Sequence, residues 1–308
     1  MTNNKVLISG ANGFFGQIAC EFFLEKGWNV LRATRYPDAD FHFDLDQPIE
    51  FGKIKTDEKI DLFIHAAAAH EVKCIHQPYQ SISQNILGTK AALDFCVKNK
   101  IKKFVYLSTF HVFGNPAGVI NEETKPSPLN DYGLSHLQAE EYVHMYEQLG
   151  MLKGYVLRPT NFFEIPSNLT QFNRWTLVPF AFCKEAIEKK QIKLNTTGMQ
   201  MRNFISVLDI LNTILEIVNK DHDVSLLHLP GPSTFTIREL ALLVKDKAHD
   251  YLNLKVNVIL PVSVKETMKI NSFNYESLYL NKIYKPKEHI SEFVVKFLTL
   301  LNNKKQNS

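Results

Sequence analysis

The sequence has few cysteines and no long hydrophobic segment. Four cysteines are spread over its 308 residues, at Cys20, Cys74, Cys96 and Cys183. Cysteines this scattered do not form a disulfide framework, so we expect reduced thiols and a cytoplasmic location. No apolar run approaches the ~18 residues that cross a bilayer, so we expect no membrane partner. A strand pattern already begins at Lys5, which leaves no room for a signal peptide.

An excess of charge of one sign is also lacking. The 35 Lys and Arg residues and the 32 Asp and Glu residues leave a formal net charge of +3. No basic block is interleaved with aromatic residues, which argues against nucleic acid as a partner. His70, Cys74 and His76 lie close in sequence, but no fourth ligand follows at a spacing typical of zinc sites. We therefore expect no metal, and an anionic ligand must be held by a few placed residues.

The first half of the chain alternates between short apolar strands and helical periods. Strands are predicted over 5–9, 29–33, 40–43, 61–66, 104–107 and 154–158, and helices over 14–25, 78–98 and 132–148. Apolar strands separated by helices indicate a parallel sheet that is covered on both faces. Because crossovers are nearly always right-handed, the predicted fold class is α/β, with a doubly wound, Rossmann-like parallel sheet.

After Pro159 this regular alternation breaks down. The pattern predicts helices over 179–190, 207–218, 237–249 and 289–301, strands over 192–194 and 226–229, and a frayed tail over 302–308. This mixture indicates a smaller mixed α/β C-terminal domain. We expect a dinucleotide-binding domain from residues 1–163 plus 203–229, and a substrate-binding domain from residues 164–202 plus 230–308.

A glycine-rich turn follows the first predicted strand. Its glycines stand at positions 10, 13 and 16, directly before the first predicted helix. Glycines at such a place permit a tight turn and let the backbone approach a pyrophosphate, which the N–H groups of the helix N-terminus bind. In this context the pattern indicates a dinucleotide cofactor.

Tyr132 and His136 lie four residues apart in the predicted helix over 132–148. Residues at this spacing share a helix face. A phenol beside a cation ionises more easily, and a phenolate can take a proton from a substrate hydroxyl. The pair alone does not exclude the alternative, in which a tyrosine and a histidine merely share a face.

Further motifs give the chain a specific resemblance over nearly its whole length. The matching segments are Gly10–Gly16, Asp44-Leu45, His65–Ala68, Asn85–Thr89, Lys103–Gly114, Arg158–Asn161 and Arg202–Val207 with Asp209. With these motifs the chain resembles the extended short-chain dehydrogenases/reductases, a family of nucleotide-sugar epimerases, dehydratases and ketoreductases. Seven motifs in the same order are specific for the family, although not for one substrate.

The resemblance, together with the end of the second strand, implies a set of site residues. The catalytic residues are Thr109, Tyr132 and His136. The cofactor-binding residues are Gly10, Asn12, Gly13, Phe14, Phe15, Gly16, Thr34, Arg35, Asp44, Leu45, Ala66, Ala67, Ala68, Asn85, Leu107, Tyr132, His136 and Pro159. The substrate-binding residues are Thr109, His111, Asn161, Arg174 and Arg202, and Arg202 matches the arginine that holds a nucleotide diphosphate in the family.

His136 departs from the family pattern, which has a lysine at this position. An imidazole titrates near neutrality, so we expect an additional ionisation in the neutral range if His136 supports Tyr132 as a cation. Three interpretations remain: a working substitution with altered pH dependence, a slow enzyme, or a retired active site. Retention of Thr109 and Tyr132 favours the first.

Two further positions bear on the reaction and the cofactor. Phe110 and His111 stand where the dehydratase branch of the family carries an Asp-Glu pair, so we do not expect dehydration. Thr34-Arg35 ends the second predicted strand, where NAD-dependent enzymes carry an acid that accepts from the ribose 2′-hydroxyl. Arg35 can instead pair with a 2′-phosphate, which favours NADP, with NAD as the other possibility.

These expectations together predict an NAD(P)-dependent oxidoreductase or epimerase that acts on a nucleoside-diphosphate sugar. Hydride would be transferred at a ring carbon, as in a 4-ketoreductase or a C4-epimerase. The alternative is a catalytically impaired NADP(H)-binding sensor or partner-regulating protein, for which His136 is the only support. A reductase of a non-sugar ketone is a third possibility, against which Arg202 argues. The resemblance also implies a homodimer.

Overall fold

The computed structural model describes residues 4–220, 222–261 and 272–306. The strands in these ranges are β1 Lys5–Ser9, β2 Asn29–Thr34, β3 Phe41–His42, β4 Leu62–His65, β5 Lys103–Leu107, β6 Gly118–Ile120, β7 Lys153–Pro159, β8 Asn161–Phe163, β9 Gln191–Lys193, β10 Met201–Ser206, β11 Leu226–Leu229, β12 Ser233–Thr236, β13 Asn257–Ile259 and β14 Phe273–Tyr275. The α-helices are α1 Phe14–Glu25, α2 Pro48–Lys53, α3 Glu71–His76, α4 Pro78–Lys98, α5 Asp131–Gln148, α6 Val178–Lys189, α7 Val207–Lys220, α8 Ile237–Leu252, α9 Leu280–Ile283 and α10 Ile290–Gln306. A short 3₁₀ helix covers Phe110–Phe113.

Seven strands form one parallel sheet in the order β11-β7-β5-β4-β1-β2-β3. The chain proceeds from β1 to one edge and then returns through β4 to the other edge. This is the predicted doubly wound arrangement, so the α/β, Rossmann-like fold class is confirmed. Every residue of β4 is buried, because helices cover both faces of the sheet.

Alternate residues of the central strands enter two different hydrophobic layers. Ile8 of β1 packs in the layer that holds Phe23 of α1 and Ile214 of α7. Leu7 points to the opposite face and packs in the layer that holds Phe95 of α4 and Val143 of α5. The period of two along a strand thus assigns neighbouring residues to opposite sides of the sheet.

A second, smaller unit contains mixed α/β structure, as predicted. Its three-stranded sheet has the order β12-β10-β8, and two further pairs join β13 with β9 and β14 with β6. Helices α6, α8 and α10 surround a separate core that includes Phe180, Val244 and Phe297. Helix α8 begins with a capping box, in which Thr236 and Glu239 satisfy each other's backbone N–H groups.

The main differences from the predicted elements concern short segments and the C-terminus. Helices α2 and α3 were not predicted, since six residues are too few for a helical period to stand out. The prediction of a frayed tail was wrong for residues 302–306, because α10 continues to Gln306 and Lys305 Nζ donates to the Ile187 carbonyl at 3.0 Å. Residues 307–308 lie outside the described part.

Two searches of the described residues concern membranes and metals. None of the described helices combines the length and the apolar character that crossing a bilayer requires. Within the same residues, no three or more His, Cys, Asp or Glu side chains are grouped where they could hold a metal ion.

Candidate active site

The carboxyl ends of the parallel strands meet at one edge of the large sheet. A cavity of about 410 Å³ runs along this edge and is lined by residues that follow β1, β2, β4 and β5. The strand order reverses between β1 and β4, and open α/β sheets bind ligands beside such a reversal. The fold therefore places the cavity where a dinucleotide is expected.

The glycine-rich turn forms one wall of this cavity. Gly10 has a φ of +69°, a conformation that glycine adopts without strain. A Cβ atom on Gly16 would lie 2.1 Å from the Gly10 carbonyl oxygen, so α1 can approach β1 this closely only with glycine at position 16. Gly13 precedes α1 and supplies no side-chain cap. The first-turn N–H groups of α1 are thus left for an anionic group such as a pyrophosphate.

Most of the residues predicted to bind the cofactor line the cavity. They are Gly10, Asn12, Gly13, Phe14, Phe15, Gly16, Thr34, Arg35, Asp44, Leu45, Ala66, Ala67, Ala68, Leu107, Tyr132 and His136. The donor groups and the shape of this wall fit the dinucleotide that the sequence predicted.

Asn85 and Pro159 do not line the cavity, which corrects the expectation that they contact a cofactor. The Asn85 amide is used inside the protein, where it accepts from the Ala69 N–H at 2.7 Å and donates to Ser135 Oγ at 2.9 Å. Pro159 is buried at the end of β7, beside Leu229 of β11. Asn85 therefore joins the loop after β4 to α5 rather than facing a ligand.

The sequence analysis missed several residues of the cavity wall. They are Ala33, Tyr36, Phe43, Ala69, His70, Lys73, Gln84, Ser108, Phe162 and Asn173. Lys73 is the most informative of them, because it adds a second cation to the wall that holds Arg35. It was missed because α3, the short helix that carries it, was itself not predicted.

Two of the predicted catalytic residues, Tyr132 and His136, line the cavity, and Thr109 lies beside Tyr132 without lining it. The Tyr132 ring lies 4.6 Å from the His136 ring and 5.5 Å from the His111 ring, measured between centroids. Burial raises the pKa of Tyr132, while a hydrogen bond with the Thr109 side chain and the charge of Arg174 oppose this shift. The tyrosine is thus a protonated phenol at neutral pH, beside the threonine hydroxyl.

His136 is buried, and this changes the role expected of it. Burial lowers its pKa to about 3, with a further contribution from His111. The expectation of a protonated imidazole that supports a phenolate is therefore wrong for this structure, in which His136 is neutral near pH 7. Its Nδ1 lies 2.7 Å from Tyr106 Oη, whereas its Nε2 has no hydrogen-bond partner among the described residues.

Two arginines carry charge without an ion pair among the described residues. Arg174 lines the cavity near Tyr132, whereas Arg202 lies near His111 and does not line the cavity. Burial lowers the pKa of Arg174, and the nearby Tyr132 and Glu71 oppose the shift. Burial also lowers the pKa of Arg202, again opposed by Glu71. Guanidinium groups that are desolvated in this way are suited to bind an incoming anion.

The other two residues predicted to bind substrate have different surroundings. The pKa of His111 is lowered by burial, raised by Glu71 and lowered by Arg202, so His111 lies within reach of the same charges. Asn161 is partly buried, and its Nδ2 donates to the Asn203 carbonyl at 3.1 Å.

A buried ion pair supports β5 and the residues directly after it, which include Thr109. Arg158 of β7 donates from Nε and Nη2 to the two carboxylate oxygens of Glu140 on α5, at 3.0 and 2.5 Å. Ser108, the neighbour of Thr109, donates its hydroxyl to the same carboxylate. The bidentate pair ties β5, β7 and α5 together below the reactive residues.

A doubly wound sheet, a glycine-rich first turn and a cavity across the strand reversal define a dinucleotide-binding protein of the Rossmann type. The chain belongs to the NAD-dependent epimerase/dehydratase family, whose model matches residues 6–226. The resemblance to the extended short-chain dehydrogenases/reductases is thus confirmed.

Individual relatives are distant in sequence but similar in fold. A Bacillus subtilis protein described as an uncharacterized UDP-glucose epimerase is 25% identical over 265 residues, covering 79% of this chain and 81% of the relative. The structure of UDP-glucose 4-epimerase from Thermotoga maritima with UDP-glucose has a TM-score of 0.82 at 18% identity and covers 99% of this chain and 100% of its own. The structure of RMD from Pseudomonas aeruginosa complexed with NADPH has a TM-score of 0.81 at 20% identity and covers 98% of each chain.

Proposed function

We propose that this protein is an NADP-dependent enzyme that transfers hydride at a ring carbon of a nucleoside-diphosphate sugar, as a 4-ketoreductase or a C4-epimerase. One observation carries the proposal. Tyr132 and Arg174 line the same cavity that begins at the glycine-rich turn, and the Thr109 side chain lies beside Tyr132, whose pKa it lowers. The cavity thus offers a proton-transfer group and an anion-binding group to one ligand.

Each side chain has a distinct task in this proposal. Tyr132 Oη would exchange a proton with a substrate hydroxyl, and the Thr109 hydroxyl would hold the same oxygen. Arg174 and Arg202 would bind the diphosphate and so fix which ring carbon lies beside Tyr132. A bound nicotinamide would supply the hydride chemistry at that carbon.

The preference for NADP is supported by cations at the end of β2. The Arg35 guanidinium lies 5.6 Å from the centre of the Tyr36 ring, and both residues line the cavity. Lys73 lines the same cavity. Arg32, by contrast, is paired with Asp38 at 3.3 Å. Arg35 and Lys73 are therefore the cations available for a 2′-phosphate.

Dehydration is not part of the proposal. Elimination of water requires an acid and a base next to the catalytic hydroxyl. Phe110 is instead an aromatic packing residue, with ring centroids 5.1 Å from Phe273 and 5.0 Å from Tyr275. His111 occupies the second position, and no carboxyl group stands at either.

A non-catalytic NADP(H)-binding sensor or partner-regulating protein is the second candidate. The observation that favours it is the neutral state of His136 beside a phenol whose pKa is raised by burial. Without a cation at position 136, Tyr132 ionises less readily than in a site supported by lysine there, although the charge of Arg174 acts in the opposite direction.

Turnover of a panel of UDP-, GDP-, CDP- and dTDP-sugars, with both cofactors present, distinguishes these candidates. A reductase consumes NADPH in step with product, whereas an epimerase interconverts two sugars with no net change in cofactor. Tyr132→Phe should lower the rate by about 10²–10⁴-fold, while the exposed Tyr79→Phe should not change it. Cofactor binding without product from any sugar would leave only the sensor.

Diphosphate binding provides a separate test at Arg202. Arg202→Ala should weaken binding of the matching nucleoside diphosphate by roughly tenfold or more, because a charge-assisted hydrogen bond contributes about 1.5–3 kcal/mol. Affinity for NADPH should remain the same. Calorimetric titration with UDP, GDP, CDP and dTDP measures both effects, and Arg238→Ala on α8 is the matched arginine control. If no nucleotide binds to the unaltered protein, the sugar-nucleotide substrate is excluded.

The family resemblance also supports proposals about assembly and location. We propose that the protein is a cytoplasmic homodimer, and that its partner in the cavity is a small sugar nucleotide. Light scattering on the purified protein tests the dimer directly.

A further inference from the structure

Tyr106 is a fully buried tyrosine for which the proposed chemistry has no use. It lies on β5, and its hydroxyl is 2.7 Å from Nδ1 of His136. Its ring lies between two imidazoles, with centroids 5.9 Å from His65 and 5.8 Å from His136 at interplanar angles of 24° and 30°. The stack limits rotation of the phenol, so its hydroxyl is directed steadily at His136.

Both members of this pair are neutral near pH 7. Burial raises the pKa of Tyr106 well above its usual value and lowers that of His136 to about 3. A neutral imidazole carries one proton, so one ring nitrogen donates and the other accepts. The hydrogen bond at Nδ1 therefore decides what Nε2 can do.

The direction of the hydrogen bond follows from the neighbours of Tyr106. A second hydrogen-bonding group beside the phenol is the Thr89 side chain, whose hydroxyl donates to the Asn85 carbonyl at 2.7 Å. An imidazole nitrogen is a stronger base than an alcohol oxygen, so we expect the phenol to donate its hydrogen bond to Nδ1. The proton of His136 is then on Nε2, the nitrogen that lacks a partner among the described residues.

We infer that Tyr106 is a positioning residue that fixes His136 as the Nε2–H tautomer, so that a neutral imidazole donates to the cofactor's nicotinamide ribose. His136 lines the cofactor cavity, and the inference rests on the proposed binding of a nicotinamide dinucleotide there. A charged lysine needs no such help, since all its protons can donate. Histidine can replace it here because a second residue sets its tautomer.

Nitrogen NMR of the histidine-labelled protein tests the tautomer without any cofactor. The expected spectrum shows His136 with a protonated Nε2 and an unprotonated Nδ1. In Tyr106→Phe, which retains the stacked ring, the two tautomers should mix. Observation of the Nδ1–H tautomer in the unaltered protein would overturn the inference, and this result does not depend on the proposed function.

Cofactor affinity tests the consequence. Tyr106→Phe should raise the dissociation constant for NADPH by about three- to tenfold, as expected for the loss of one neutral hydrogen bond. Tyr146→Phe is the matched control, because its hydroxyl donates to Asp94 from the same helix that carries His136, and it should leave the affinity unchanged.

The His136→Lys background separates positioning from a general structural effect. With lysine at 136, Tyr106→Phe should change the NADPH dissociation constant less than about twofold, because no tautomer remains to be fixed. An equal loss in both backgrounds would show that Tyr106 acts on the fold and not through His136. If the unaltered protein binds no nicotinamide cofactor, the proposed function fails, while the NMR result still decides the tautomer.

Discussion

At the scale of single residues, the candidate site contains partly or fully buried polar side chains whose charge or hydrogen-bonding capacity is not fully satisfied within the protein. Arg174 and Arg202 are desolvated cations, and His136 presents a nitrogen with no partner among the described residues. Buried polar groups are costly to leave unpaired, so such groups gather where a ligand completes them. At the cofactor end the cations Arg35 and Lys73 also line the cavity, although Arg35 is exposed.

Cofactor preference should respond to a single change at Arg35. Arg35→Asp removes a cation for the 2′-phosphate and adds an acceptor for the 2′-hydroxyl of NAD. We expect the preference for NADP over NAD, measured as the ratio of the two dissociation constants, to fall by at least about tenfold. The exposure of the Arg35 side chain keeps the expected effect near this lower value. Titration with both cofactors measures the ratio. Arg32→Gln, in the preceding strand β2, serves as the control, and an unchanged ratio in Arg35→Asp would show that Arg35 does not contact the cofactor.

The pH dependence of turnover should lack a contribution from His136. Its pKa is lowered to about 3, so the imidazole does not gain a proton between pH 5 and 8. The pH–rate profile in this range should therefore have the same shape in the unaltered protein and in His136→Gln, although the rate of the variant is lower. If the profile of the unaltered protein shows an ionisation between pH 5 and 8 that the variant lacks, His136 is protonated during turnover.

At the scale of structural elements, polar contacts inside the fold hold α5 against the sheet. Asn85 connects the loop after β4 to Ser135 of α5, and Glu140 connects α5 to Arg158 of β7. Both contacts are buried and flank the turn of helix that carries His136. Because they are buried, these contacts fix the position of Tyr132 relative to Thr109 more firmly than exposed pairs could.

Removal of only one partner of the Glu140–Arg158 pair should strongly lower the free energy of unfolding. Glu140→Ala leaves a buried guanidinium unpaired, and the free energy of unfolding should fall by about 3–5 kcal/mol. The double variant Glu140→Leu with Arg158→Met should lose less free energy of unfolding than Glu140→Leu and Arg158→Met lose together when each is made singly. Urea denaturation measures these values. Glu50→Ala breaks an exposed pair with Lys53 and should cost less than about 1 kcal/mol. Similar costs at both sites would contradict the role given to the buried pair.

At the scale of the whole molecule, the cofactor turn is joined to the smaller unit by aromatic packing. The Phe14 ring lies 6.0 Å from Phe162, 5.3 Å from Phe172 and 5.4 Å from Phe180, so the first residue of α1 reaches the second core. We propose the division into residues 1–163 plus 203–229 and residues 164–202 plus 230–308. This division counts β8 and most of β10 with the first unit, although both strands form one sheet with β12 of the second unit. The ligand cavity contains Phe14, Phe162 and Arg174 and so spans this boundary.

Global stability should fall steeply in mild acid. The pKa values of His65, His136 and His228 are each lowered to about 3, in every case chiefly by burial. The unfolded chain binds these protons below about pH 6.5, whereas the folded chain resists them down to about pH 3. Within this window each histidine lowers the free energy of unfolding by about 1.4 kcal/mol for each pH unit of acidification.

Urea denaturation at several pH values between 6 and 4 would reveal this slope. His228→Phe retains a ring against Tyr275 and removes one proton-binding site, so the slope should decrease by about 1.4 kcal/mol per pH unit. His42→Gln changes an exposed histidine and should leave the slope as it was. An identical slope in His228→Phe would mean that this imidazole is not kept neutral by the fold.

The fold class and the glycine-rich turn could be predicted from the sequence pattern alone, whereas the pairing of Thr109 with Tyr132 was expected only from the resemblance to a known family. The first two features depend on local periodicity and on the rule that parallel strands end at one edge, so residue spacing is enough to predict them. The charge of His136, the hydrogen bonds that Asn85 makes inside the protein and the presence of Lys73 in the cavity wall became evident from the tertiary structure. The pKa of His136 is set by burial, and its partner Tyr106 lies 30 residues away in the chain. Such properties depend on which distant side chains surround a group, and no local pattern contains that information.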